Sequence, residues 1–196
     1  MFPGHVSNAF EDTAGNLVLD ISLSDKNVFF WWPDAQGNAP EPSSIVSQLK
    51  RFVINPKSSD LNLADPEVLQ EDNSEFYRIH DRFATKPYRH CFYDMLNTAL
   101  GTDFPAIAHQ LGGGYPLYNS LGHLDLETRN VEVYFPGRTH MVQEPVFIPR
   151  RSGGDEQLCH DVKRVAFAGH KGFYSSQSGN SAACVIEARA TWKLGG

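Results

Sequence analysis

No stretch of this chain sustains an apolar stripe at helical spacing, and that limits its fold more than any other feature. Apolar residues come instead in short runs, each closed by Gly, Pro or Asn. Asn16 to Ser22 (NLVLDIS) and Gln48 to Ile54 (QLKRFVI) alternate apolar and polar residues, the period of a half-buried strand. Val28 to Trp32 (VFFWW) is β-branched and aromatic and stops at Pro33, so it reads as another strand. Tyr88 to Tyr93 is aromatic-rich, and Pro145 to Pro149 (PVFIP) is a further short apolar run. Leu121 to Leu126 and Val131 to Phe135 flank a hairpin connection, and Ala182 to Trp192 reads as a last strand. Residues 94–110 are long enough for a short helix, but Gly101 and Pro105 interrupt it. Many short strands with regular punctuation predict an all-β sandwich, barrel or propeller.

Composition narrows what such a fold can do. Of 196 residues, 41% are hydrophobic, enough to bury a core, and 20% are charged, too few for a disordered chain. The net charge of -6, with no basic run, excludes the clustered cations that nucleic acid requires. Three widely spaced cysteines, Cys91, Cys159 and Cys184, form no CxxC pair and support neither a disulfide framework nor a zinc ribbon. With no signal pattern and no apolar run near the roughly 18 residues of a membrane span, a reducing, cytoplasmic location is expected. Peripheral contact with a membrane surface is compatible with this reading, and no protein partner is predicted. The Gly-rich loop Leu111 to Asn119 lacks the Lys-Ser/Thr of a phosphate cradle and reads as a tight backbone approach.

Eight histidines are present, without an HExxH pair, and no GxSxG elbow occurs. Two carboxylates stand out because they border apolar strands: Glu75 in SEFYRI and Glu144 in QEPVFIPR. A partly buried carboxylate needs a partner. Arg78 or Arg150 is the ordinary one; the ring N–H of a metal-bound histidine is the other.

Three segments together resemble one family. GHVSNAFED, residues Gly4 to Asp12, resembles the His-x-x-Asn-Ala-aromatic-Glu motif of the carotenoid cleavage oxygenases. SEFYRIHDRFATKPYRHCFY resembles that family's Glu-Phe-Pro-Arg-Ile segment and the Arg/Lys-Pro-Tyr-Arg-Tyr that follows. HLDLETRNVEVYFPGRTHMVQEPVFIPR resembles its Asp-Leu-Glu-Thr-Gly hairpin and Glu-Pro-Val-Phe-Val-Pro-Arg strand. All three occur in the family's order, and LGTDFPAIAHQLGGGYPLYNSLGHLD is similar to the lignostilbene dioxygenase-like branch.

The resemblance implies a seven-bladed β-propeller, of which this chain holds several antiparallel blades and lacks the N-terminal ones. It implies a non-haem Fe(II) on the propeller axis, held by four histidines, three of them steadied by glutamates. Such enzymes use O2 to split an alkene bond in an apolar conjugated substrate into two carbonyl products. Residue by residue, His5 matches an iron ligand, and Glu75 and Glu144 match two of the glutamates. GHVSNAFED then reads as a metal-ligand loop. Phe10, Phe30, Trp31, Trp32, Phe104 and Tyr115 are aromatic candidates for a substrate tunnel, or for core packing. No residue here matches the family's two upstream iron histidines.

The departures set the remaining expectations. Tyr77 stands where the family has proline, and Gly4 where it has phenylalanine. After Glu156 the match fades, which divides the chain into a partial propeller, 1–156, and a divergent tail, 157–196, with one or two strands. VAFAGHKGF around His170 echoes the last-ligand segment but arrives early, so His170 is a lesser candidate. Two alternatives follow: a degenerate relative that keeps the fold for packing or binding, and an unrelated lectin-like module.

Overall fold

The computed structural model describes residues 1–29, 32–60, 62–111 and 118–148, with the backbone of two further strands at 161–167 and 189–191. Three antiparallel sheets follow one another along the chain. The first contains β1 (Phe2–Glu11), β2 (Leu17–Ser24), β3 (Ser47–Ile54) and β4 (Glu67–Gln70). The second contains β5 (Asn73–Arg78), β6 (His90–Leu96), β7 (Ser120–Asp125) and β8 (Val131–Tyr134). The third contains β9 (His140–Ile148), β10 (Asp161–Phe167) and β11 (Arg189–Thr191). In each sheet the strands lie in chain order, the meander of a propeller blade. Among the described residues the sheets do not close into a ring.

Local chemistry explains the turns. Asp12 closes the β1–β2 hairpin: its Oδ1 accepts from the amides of Ala14 (2.8 Å) and Asn16 (2.9 Å), and Gly15 supplies the left-handed residue at φ +81°. Asp125 does the same between β7 and β8, accepting from the amide of Glu127 at 3.0 Å.

Alternation along β2 then sorts the faces. Val18, Asp20 and Ser22 are buried, while Leu17, Leu19 and Ile21 face the other way. The core lies between the first two sheets, where Leu49 and Leu69 meet Tyr77, Ile79, Cys91, Tyr93, Met95 and Leu124. One charged network crosses it. Arg51 donates two 2.7 Å bonds to the fully buried Asp20, and the Tyr88 hydroxyl donates a third at 2.8 Å. Each carboxylate oxygen thus has a donor, and a cation faces the pair, the condition under which a buried ion is tolerable. Burial pushes the Cys91 thiol up to about 12, so this free cysteine is inert. Cys159 and Cys184 lie outside the described residues. The third sheet packs on the second through β9, which meets β5, β6 and β7.

The structure corrects several expectations. Of Val28 to Trp32, the described residues Val28, Phe29 and Trp32 are not in a strand; the Trp32 amide donates to the Phe29 carbonyl at 2.8 Å. Aromatic stacking, with Phe2 edge-on to Phe29 at 5.4 Å, takes the place of ladder pairing. GHVSNAFED is not a loop but lies within β1, apart from Asp12 at the turn. The helix that Gly101 and Pro105 seemed to interrupt begins after the first and contains the second: α1 runs Phe104–Leu111. Gly101 is the left-handed cap of the preceding 3-10 turn, and Pro105 sits in the first helical turn, where its missing N–H costs nothing. Most of the Leu111 to Asn119 loop lies outside the described residues.

Candidate metal centre

His5, Glu75 and Glu144 stand on β1, β5 and β9, the leading strands of the three sheets, and each stands where its strand breaks register. Pro3 pairs with Leu23 and Val6 with Ile21, so three steps on β1 oppose two on β2, with His5 inside the bulge. Glu75 pairs with Asp94 and Arg78 with Phe92, again three steps against two. Val142 pairs with Val165 and Val146 with Lys163, so four steps oppose two, and Glu144 lies between them. A bulge turns a side chain out of strict alternation and bends the strand that carries it.

The two bulges on β1 and β5 bring His5 and Glu75 into contact: His5 Nδ1 pairs with Glu75 Oε2. The His5 amide donates to Ser22 Oγ at 3.2 Å and to Glu75 Oε1 at 3.4 Å. The Phe76 amide donates to Glu75 Oε2 at 3.3 Å. Phe76 itself adopts φ +55°, a conformation uncommon for a bulky residue. This sets its ring 4.7 Å from the His5 imidazole, with Tyr118 edge-on behind it at 6.0 Å. The imidazole is 52% exposed and the carboxylate 11%. With a carboxylate on Nδ1, the neutral ring carries its proton there, and the Nε2 lone pair is left for a metal.

Gly4 makes this contact sterically feasible. A Cβ at that position would collide with Glu75 Oε1 and Ser22 Oγ. The absence of the family's phenylalanine therefore has a local reason. Tyr77 has one too: it is a fully buried core residue of β5 whose hydroxyl meets Ser74 Oγ at 2.6 Å.

The rest of the motif on β1 holds the strand rather than a ligand. Asn8 Nδ2 donates to the carbonyls of Phe83 (3.2 Å) and Lys86 (2.9 Å), and its Oδ1 accepts from the Thr85 amide at 3.0 Å. Ser7 Oγ meets the Tyr88 hydroxyl at 3.2 Å. Phe10 packs edge-on to Tyr88 at 6.2 Å, under the Arg51 guanidinium.

Glu144 forms an ion pair with Arg78, the ordinary partner of the two considered for it, and both side chains are nearly half exposed. His170 and Arg150 lie outside the described residues, as do Phe30, Trp31 and Tyr115. Trp32 is exposed, and Phe104 starts α1. His90 and His123 meet each other at 3.1 Å, with Glu132 on His123 Nδ1 at 3.0 Å. Among the described residues no group of three or more His, Cys, Asp and Glu side chains is assembled for a metal. His5, with Glu75 on its Nδ1, presents one imidazole nitrogen, Nε2, of the kind a metal takes. Sequence reasoning missed Asp94, a carboxylate inside the apolar run HCFYDML; its position there was the available signal.

Comparison with known proteins shows the family. The sequence profile of the retinal pigment epithelial membrane protein family matches residues 1–189. The chain belongs to this family of carotenoid cleavage oxygenases. It is 65% identical over 155 residues to resveratrol cleavage oxygenase 1 of Aspergillus fumigatus, covering 79% of this chain and 31% of that protein. It is 42% identical over 156 residues to carotenoid cleavage oxygenase 1 of Neurospora crassa, covering 79% of this chain and 30% of that protein. The crystal structure of lignostilbene dioxygenase from Pseudomonas brassicacearum superposes with a TM-score of 0.75 at 28% identity, over 85% of this chain and 34% of that one. The chain thus spans about a third of the length of these relatives, and its antiparallel sheets are blades of the carotenoid oxygenase propeller fold. No helix among its described residues is long and apolar enough to cross a membrane.

Proposed function

We propose that this chain is the portion of a non-haem Fe(II) dioxygenase that supplies one iron-binding histidine and its supporting carboxylates. The observation that carries this is the contact between His5 and Glu75 across two bulged strands. His5 Nε2 is the donor atom to iron. Glu75 fixes the tautomer and raises the basicity of the ring. Glu144, on the strand packed against β5, is the second supporting carboxylate, serving a histidine outside the described residues. Iron, when bound by the full set of imidazoles, supplies the O2 chemistry that splits an alkene into two carbonyls.

The relatives' names point to a stilbene such as resveratrol ahead of a carotenoid, since the 65% identical protein is a resveratrol cleavage oxygenase. The exposed Met1, Phe29 and Trp32 suit peripheral contact with an apolar surface, and cysteine usage suits the cytoplasm. A division into 1–156 and 157–196 belongs to the same proposal; the family profile itself runs past it, to residue 189.

A second reading, a relative that keeps the blades without catalysis, draws on the lack of a three-ligand group among the described residues. Anaerobic Fe(II) titration separates the two. The chain is combined with the complementary N-terminal segment of a family dioxygenase and assayed for aldehyde release from resveratrol. The dioxygenase reading expects one iron per assembled protein and a drop in affinity of about 10–100-fold for Glu75→Ala. Absence of iron uptake and of aldehyde in the assembled protein sinks it.

A further inference from the structure

Tyr77 lies two residues past Glu75 on β5, and the proposed metal centre gives its hydroxyl no task. Strict alternation along a strand sets residues 74 and 77 on opposite faces. In β5 both are buried, Ser74 at 0% and Tyr77 at 1% exposed. Both also face the core between the first two sheets: Ser74 opposes Met95 of that core, and Tyr77 belongs to it. The register break between Glu75 and Arg78 turns Tyr77 to the side of Ser74. The two hydroxyls then meet at 2.6 Å, and the residues they enclose are Glu75 and Phe76.

Ser74 Oγ also lies 2.8 Å from Gln70 Oε1 and 2.8 Å from the Asp72 carbonyl. Both of these oxygens only accept. The single serine hydrogen goes to one of them, so the Tyr77 phenol donates to Ser74. Gln70 belongs to β4, so the bond ties the β5 bulge to the first sheet, which also carries His5. Ring packing fixes the phenol: Tyr93 lies 5.1 Å from Tyr77, centroid to centroid. Gly122 leaves room for the Tyr93 ring, where a Cβ would collide with it.

Phe76 stands at φ +55°. A bulky residue stays in that region only where its surroundings over-determine it. Here contacts hold it from both sides. Glu75 meets His5 on one side, and Tyr77 closes onto Ser74 on the other.

We propose that Tyr77 is a further positioning residue of the site: its hydroxyl, closed onto Ser74, latches the β5 bulge and so holds Glu75 against His5. The consequence for iron binding rests on the dioxygenase reading; the latch itself does not.

The test uses the full 196-residue chain without iron, as wild type, Tyr77→Phe and Tyr93→Phe. Tyr77→Phe keeps the ring and removes the donor. Tyr93→Phe removes the neighbouring phenol, outside the latch. Proton NMR reads the exchange of the Tyr77 hydroxyl proton with water, the Overhauser contact between the His5 and Phe76 rings, and the couplings that report the sign of the Phe76 φ. The wild type shows a protected hydroxyl proton, the ring contact and a positive φ. Tyr77→Phe loses the ring contact and the positive φ with unchanged circular dichroism, and Tyr93→Phe keeps both. In the assembled protein Tyr77→Phe lowers Fe(II) affinity about 10-fold. A folded Tyr77→Phe that keeps the contact and the φ overturns the proposal. So does a Tyr93→Phe that loses them to the same extent, which marks a general loosening of the core. Free exchange of the wild-type Tyr77 hydroxyl proton overturns it even where the variants fail to fold. Absence of iron uptake in the assembled wild type counts against the dioxygenase reading alone, so the two failures are distinct.

Discussion

Gly4 and Asp94 show how much of the site depends on single atoms. At Gly4 one methyl group is enough to push Glu75 and Ser22 apart. Gly4→Ala is expected to separate Glu75 from His5 and to lower iron affinity in the assembled protein by about 10–100-fold, read by Fe(II) titration, with unchanged circular dichroism. Asp94 gives a pH signature. Burial holds its folded pKa above the ordinary carboxylate value, so between the two the folded state holds a proton that the unfolded state has lost. Stability then falls as pH rises through that window, by at most about 1.4 kcal/mol per pH unit. Asp94→Asn removes the penalty. In urea unfolding the variant is expected to be more stable than the wild type at neutral pH, with the gap closing as pH falls below the unfolded carboxylate value.

At the scale of elements, the bulges decide both what the site contains and what the sequence conceals. β2 and β3 alternate cleanly, and the period-2 pattern finds them within one or two residues. β1 and β5 each carry extra residues, which breaks the alternation just where His5 and Glu75 stand, so a periodic reading passes over both strands. VFFWW fails in the opposite sense: its β-propensity is high, but the segment is held by aromatic contacts and a turn. β1 is kept in place by Asn8, which holds the 83–86 segment, including Thr85 at φ +63°. Asn8→Ala leaves the Thr85 amide and the Phe83 and Lys86 carbonyls without their partner. It is expected to cost about 1–2 kcal/mol, measured as a lower denaturant midpoint with faster hydrogen exchange at the Thr85 amide.

On the scale of the whole molecule, one face of the first sheet is exposed. Val6, Ile21, Lys50 and Val68 form one row across its four strands, and Val6, Leu17 and Val68 on that face are exposed. Exposed apolar residues on a sheet with open edges favour association. Sedimentation of the chain by itself is expected to show self-association that Leu17→Lys with Val68→Lys shifts toward monomer. A wild-type chain that is monomeric at all concentrations contradicts this.

Residue order alone established an all-β chain of short strands, the resemblance of three ordered motifs to the carotenoid cleavage oxygenases, and His5, Glu75 and Glu144 as the residues to watch. The strands follow from period and punctuation, which are local; the three residues follow from the resemblance of the ordered motifs. Tertiary structure decided what those residues touch. It put Glu75 on His5 and Glu144 on Arg78, gave Asn8 a supporting role, and set Asp94 beside Glu75. Contacts between strands some 70 residues apart depend on how bulges shift register and on which sheets pack together, and no local pattern in the chain encodes either.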